Sequence, residues 1–167
     1  LNSRGDDLKM CLPSIKDFKI DNNDLSIDVK IESELLCPRY SGVSISNVIV
    51  NESPDWLKHK LLSIGINPIN NIVDITNYVL HETGQPLHAF DTEKILGKEI
   101  IVKTLNKDTN FITLDENKRK LSENDLMICN AEVPMCIAGV FGGLDSGVTN
   151  DTKSIFIESA YFDSTSI

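Results

Sequence analysis

The stretch NPINNIVDITNYVLHETGQPLHAFD, residues 67–91, decides how the rest of the chain is read. Asn67-Pro68 biases the backbone away from helix. Asn70 or Asn71 can cap the helix that follows. Ile72, Ile75, Val79 and Leu80 fall at i, i+3, i+7 and i+8, one helical face, and Thr76 sits on that face at i+4. A hydroxyl on an apolar stripe needs a partner, so Thr76 is either bonded back to the helix or turned toward a pocket. Gly84 stops the helix. Gln85 to Asp91 reads as a loop, with Asp91 as a cap for a short turn.

Working outward, Tyr40–Val50 reads as a strand. Ser53-Pro54-Asp55 starts a helix, with Ser53 as cap and Pro54 at the first helical position. Leu57, Leu61 and Ile64 repeat at helical spacing and Gly65 closes it. Trp56 is expected to be a core or hinge aromatic. A short helical turn is expected near 92–96, then strands at 100–105, 111–114 and 126–129, with a turn at Asp115-Glu116-Asn117-Lys118. Pro134–Val140 is expected to be a buried strand. In the strand 154–160, Ile155, Ile157 and Ser159 share one face and Phe156, Glu158 and Ala160 the other. Toward the N-terminus, 2–7 is turn-like, and Phe18–Ile20 and Leu25–Ile31 read as short strands. Residues 1–36 are therefore expected to be a linker or the trailing part of a preceding region. The fold class is α+β: a mainly antiparallel sheet with flanking helices and a pocket between two subregions.

The chain has 167 residues, 41% hydrophobic and 25% charged, which suits a globular domain. It does not begin with methionine and reads as a piece of a longer protein. No apolar run is long enough to span a membrane, and a cytoplasmic setting is expected. The net charge of −9 argues against a firm grip on nucleic acid by this segment alone. Lys118-Arg119-Lys120 has a phosphate-binding alternative, but a solvated hairpin edge is expected. Cys11, Cys37, Cys129 and Cys136 form no CxxC pair and read as reduced, partly buried thiols. No metal site is expected.

Chemistry is sparse. There is no GxSxG elbow, no HExxH and no phosphate-binding loop. His59 and His81 have surface explanations. His88 follows Pro86 between apolar Leu87 and Ala89, and by itself fits a hydrogen-bonded structural histidine. Glu158 shares its strand face with Phe156 and Ala160. A carboxylate there forms a buried pair or waits for a ligand, and an exposed edge strand fits the pattern equally. Ala138-Gly139 allows tight packing or close backbone approach to a ligand.

Several long motifs occur in one order: Cys37-Pro38-Arg39-Tyr40-Ser41-Gly42, then 70–78 and 84–91, Ala138 to Gly143, and Glu158 to Phe162. Together they resemble the editing (B3/B4) region of the β subunit of bacterial phenylalanyl-tRNA synthetase, over residues 37–167. The resemblance implies a B3/B4-like editing domain that hydrolyses mischarged Tyr-tRNA(Phe). It assigns catalytic positions to His88 and Thr76, and substrate contacts to Glu158, Gly139, Ala138, Asn77 and Pro86. Glu158 would meet the tyrosine hydroxyl, and Thr76 and Asn77 would lie near the ester and terminal adenosine. The implied parent ligates phenylalanine to tRNA, with an α subunit and tRNA(Phe) as partners and ATP and Mg2+ as cofactors; the segment itself is expected to use none. The alternative is a non-catalytic docking or subunit-assembly module with an inactive pocket. Two positions depart from the family: Asn67, where arginine is common, and Glu116, where glycine is usual in the hairpin turn.

Overall fold

The computed structural model describes residues 13–167, so the turn expected at 2–7 and the Cys11 thiol lie outside the described residues. In chain order the elements are β1 (Asp28–Ile31), β2 (Arg39–Ile45), α1 (Asp55–Ser63), α2 (Asn71–Thr83), β3 (His88–Asp91), β4 (Glu99–Thr104), β5 (Asn110–Ile112), β6 (Lys118–Lys120), β7 (Leu126–Cys129), β8 (Pro134–Ile137), β9 (Phe141–Gly142) and β10 (Ile155–Tyr161). Two short 3-10 turns, Thr92–Lys94 and Leu96–Lys98, separate β3 from β4. The α+β class is as expected. One sheet runs β1-β4-β7-β8-β9, a second runs β2-β10-β3, and β5-β6 is a separate hairpin. All pairings are antiparallel except β1 with β4.

Helix α2 begins and ends where its sequence dictates. Asn70 Oδ1 accepts from the backbone N–H of Ile72 (3.1 Å) and Val73 (3.0 Å). Gly84 ends it in the left-handed region, φ 78°. Its buried residues, however, are Ile72, Asp74 and Thr76, while Ile75 is exposed. The helix is covered on two sides: Ile72 packs with Ala89 and Ile155, and Asp74 takes hydrogen bonds from Ser53 Oγ (2.5 Å) and the Ile69 N–H (2.8 Å).

That network also explains why Ser53 does not cap α1. Its hydroxyl serves Asp74, and Pro54, extended at φ −63°, ψ 152°, stands at the cap position without a side-chain bond. Trp56 is exposed rather than in the core, edge-on to Tyr78.

Other expectations shift. Residues 88–91 form a strand, not a loop, because β10 offers them an antiparallel partner. Strand β2 ends at Ile45, and β8 ends at Ile137, where the chain turns. Phe18–Ile20 forms no strand, and in 25–31 only Asp28–Ile31 pairs. The 115–118 turn links β5 to β6, and Lys118, Arg119 and Lys120 are exposed on that hairpin. Glu116 takes φ 63°, the left-handed conformation that favours glycine. Asp115, held well below the usual carboxylate range at about 2 by bonds from Thr113 and Asn117, braces the turn.

The main core fills the space between the two larger sheets. Phe90, Phe156, Ile100, Val102, Ile128 and Ala138 meet there, with Cys37 and Cys136 as buried free thiols. Cys129 is likewise buried and free.

Candidate functional site

Register in the second sheet assembles one face from three separated segments. Along β10, Phe156, Glu158 and Ala160 alternate onto that face. Glu158 lies opposite Gly42 of β2 and His88 of β3; Phe156 lies opposite Ser44 and Phe90; Ala160 lies opposite Tyr40. The residues that seemed to sit in a loop and in distant motifs are thus neighbours in one ladder.

A cleft of about 650 Å3 opens where this face meets the end of β8 and β9. Pro86, His88, Gly139 and Glu158 line it, along with Cys136, Phe141, Ala160 and Phe162. A second cleft, about 1060 Å3, is lined by Asn70, Val73, Thr76 and Asn77 of the α2 side, and again by His88. Leu87, His88, Val140, Phe141 and Gly142 border both, so His88 stands at their junction. Ala138 is not part of either wall. It is fully buried in the core, and its N–H donates to the Leu126 carbonyl at 2.9 Å.

Glu158 is 6% exposed. Burial pushes its carboxyl up to about 7, partly opposed by the hydrogen bond from the Tyr40 hydroxyl to Oε2 at 3.1 Å. A buried carboxylate with one donor is under-satisfied, since the ionised group can accept several bonds. His88 is also buried, and desolvation holds its pKa below the ordinary 6.5. It is therefore neutral at physiological pH. Its Nε2 is buried without a hydrogen-bond partner among the described residues. The imidazole packs edge-on against Phe90, with ring centres 4.5 Å apart. On its other side is Gly142, where an added Cβ would approach His88 Cε1 to 3.2 Å.

Thr76 resolves both halves of its expected alternative: its hydroxyl donates to the Val73 carbonyl at 2.8 Å, and the residue lines the second cleft. With its proton committed, Oγ1 can only accept from a group in the cleft. Gly139 takes φ 69° in the turn after β8. The turn, rather than the buried strand expected there, brings its backbone to the cleft with no Cβ in the way.

Three contributors escaped the sequence. Tyr40 appears there only as a motif letter. Gly42 is required by its neighbour, since a Cβ there would fall 2.0 Å from Phe156 Cζ. Cys136 lines the cleft from β8. A glycine inside a strand signals close approach, so Gly42 was the available clue.

Among the described residues, no group of three or more His, Cys, Asp or Glu side chains could hold a metal ion. No helix there is long and apolar enough to cross a membrane.

Comparison with known proteins identifies the family and the fold. The phenylalanine–tRNA ligase β subunit of Bacteroides thetaiotaomicron is 62% identical over 150 residues, which cover 90% of this chain and 18% of that protein. The β subunit from Porphyromonas gingivalis is 51% identical over 168 residues, 100% of this chain and 20% of that protein. The chain thus spans about a fifth of the length of these curated relatives. An N-terminal fragment of the Pyrococcus horikoshii phenylalanyl-tRNA synthetase β subunit shares the fold, with TM-score 0.62 at 16% identity, over 93% of this chain and 48% of that one. The B3/4 domain family model matches residues 36–167, and the chain belongs to that family.

Proposed function

We propose that this chain is the editing segment of a phenylalanine–tRNA ligase β subunit and hydrolyses tyrosine wrongly esterified to tRNA(Phe). The observation that carries the proposal is Glu158, a buried acceptor with one internal donor, in a cleft otherwise walled largely by apolar groups and backbone. A synthetic pocket for phenylalanine rejects an analogue with one added hydroxyl only by roughly 10². A second pocket that binds the hydroxyl supplies the missing discrimination. The tyrosine phenol donates to Glu158. A bare phenyl ring would displace water from the carboxylate and give nothing back, at a cost of about 1–3 kcal/mol.

In this reading the side chain enters between Pro86, Gly139 and Glu158, and the ester lies at the junction of the clefts beside His88. The terminal adenosine extends toward Thr76 and Asn77. Neutral His88 offers a ring nitrogen to a water or to the ester, and Thr76 Oγ1 accepts from the same water. Positioning of that water against the ester carbon then contributes several kcal/mol of barrier reduction, on the order of the effective-molarity gains of oriented reactants. ATP, Mg2+, the α subunit and most tRNA contacts belong to other regions of the parent protein, which works in the cytoplasm.

The test is deacylation of Tyr-tRNA(Phe) and Phe-tRNA(Phe) by the full-length ligase carrying Glu158→Ala or His88→Ala. Glu158→Ala should lower the Tyr/Phe rate ratio by roughly ten- to a hundredfold, the value of one hydrogen bond to a charged group. His88→Ala should slow both esters and leave the ratio. An unchanged ratio in Glu158→Ala would sink the assignment.

A further inference from the structure

The sheet sets one more polar group against Glu158 than the proposed reaction uses. Tyr40 lies opposite Ala160, two residues from the Gly42–Glu158 pair, so Tyr40 and Glu158 are diagonal neighbours on the cleft face. The Phe156 ring fills the space over Gly42. On the β2 side, the polar partner left to Glu158 is the Tyr40 hydroxyl, which donates to Oε2 at 3.1 Å. The Tyr40 ring is itself held by the main core.

We propose that Tyr40 is a positioning residue for substrate selection: its phenol occupies Glu158 Oε2, pins the carboxylate beside the cleft and leaves Oε1 as the acceptor for an incoming hydroxyl. The inference rests on the reading that Glu158 receives the tyrosine hydroxyl. Three features favour it. First, a glutamate side chain has three torsions, and a selecting acceptor works only if it is held still. A core-anchored ring supplies that restraint. Second, the bond is made to the charged form of the carboxylate and so favours ionisation against the cost of burial. Third, the protein already shows a phenol hydrogen-bonded to Glu158 in dry surroundings, the same pairing a tyrosine substrate would make on the other oxygen.

Among the described residues, the titratable groups facing Glu158 are few. They are Tyr40 on β2 and Cys37 just before it, His88 on β3, and Cys136 on β8. Burial raises the phenol and both thiols, which stay protonated near neutral pH. Burial lowers the His88 pKa and so favours its uncharged form. The ionisation of Glu158 therefore answers chiefly to its own burial and to Tyr40.

Tyr40→Phe keeps the ring and removes only the donor. In the full-length ligase, Tyr-tRNA(Phe) and Phe-tRNA(Phe) deacylation would be followed from about pH 6 to about pH 8.5, alongside Glu158→Gln. Phenylalanine charging monitors folding. Tyr40→Phe should shift the midpoint of the tyrosine-specific profile upward by about one pH unit. It should also lower the Tyr/Phe ratio roughly tenfold near neutral pH, with recovery at the alkaline end. A uniform fall at every pH for both esters, or no change in midpoint and ratio, would overturn the role given to Tyr40. The control separates the two layers. If Glu158→Gln leaves the ratio intact, the underlying reading fails. If Glu158→Gln collapses the ratio while Tyr40→Phe changes neither midpoint nor ratio, only the Tyr40 inference fails.

Discussion

The entrance to α2 and the cleft beside β10 each bury a carboxylate, and the surroundings treat the two differently. Asp74 is fully buried, and each of its oxygens has its own donor, Ser53 Oγ at 2.5 Å and the Ile69 N–H at 2.8 Å. Asp91, at the end of β3, follows the same rule, with Thr152 Oγ1 at 2.6 Å and the Glu93 N–H at 3.0 Å. Both tie loops to the frame. Glu158 is nearly as dry but has one donor, at 3.1 Å, and its remaining acceptor capacity is beside a cleft. A buried acid satisfied on both oxygens is joinery, while one left half-satisfied next to open volume is, on the proposed reading, poised for a ligand.

The largest expected effect is on the satisfied side. Asp74→Ala leaves the Ser53 hydroxyl and the Ile69 N–H without acceptors, each costing about 1–3 kcal/mol. The variant should lose about 2–4 kcal/mol in urea denaturation of the chain, because the start of α1 and the entry to α2 come apart together. A loss below about 0.5 kcal/mol would mean that water replaces the carboxylate without penalty, and the contrast with Glu158 would fall.

Next comes the pH dependence of stability. The folded-state value of Glu158, about 7, lies above the ordinary 4.5, so the folded protein holds this proton more tightly. The stability it contributes is fully present below about pH 4.5 and is lost as pH rises through about 7. His88 has the opposite sign: its depressed value gives stability that is present above the ordinary 6.5 and lost as pH falls. Between about pH 5 and about pH 8, Glu158 should therefore remove on the order of 2–3 kcal/mol. Glu158→Gln should abolish that decline and be the more stable protein at the alkaline end, the reverse of Asp74→Ala. Parallel denaturation midpoints for wild type and Glu158→Gln across that range would show that Glu158 is not poised as described.

Much of this contrast was legible in the residues and some was not. Asn70 or Asn71 and Gly84 marked the helix ends, with Asn70 proving the cap, because capping is local chemistry written within four residues. The alternation in 154–160 placed Glu158 on the face of Phe156 and Ala160, which the register bears out. What stayed hidden depends on partners distant in the chain. Ser53 looked like a cap, yet its hydroxyl belongs to Asp74, 21 positions on. His88 to Asp91 is too short an apolar run to declare itself a strand, and only β10 makes it one. Tyr40 and Glu158 are 118 positions apart, and no periodicity links them. Asp74 drew no reading from the sequence at all, since only its donors, Ser53 and the Ile69 N–H, show why a carboxylate is buried there.

The smallest expected effect is the sharpest check on the satisfied class. Asp91 uses both oxygens as acceptors, so Asp91→Asn removes one acceptor and supplies an amide N–H2 in its place. Asparagine still caps the short turn at Glu93, since the two residues are equivalent as N-caps. The amide nitrogen then faces Thr152. That hydroxyl already accepts from the Thr149 N–H at 3.0 Å and has a second lone pair, so it can turn and accept from the amide as well. One hydrogen bond is reversed rather than lost, and the net cost should be about 1 kcal/mol. The stability difference from wild type should stay constant across the pH range in which Glu158 titrates. Tyr/Phe discrimination should be untouched, because Asp91 lines neither cleft. A changed ratio in Asp91→Asn would mean that selectivity is transmitted along the β3–β10 ladder to Glu158, opposite His88, and the division between joinery and poised acceptor would have to be redrawn at that strand.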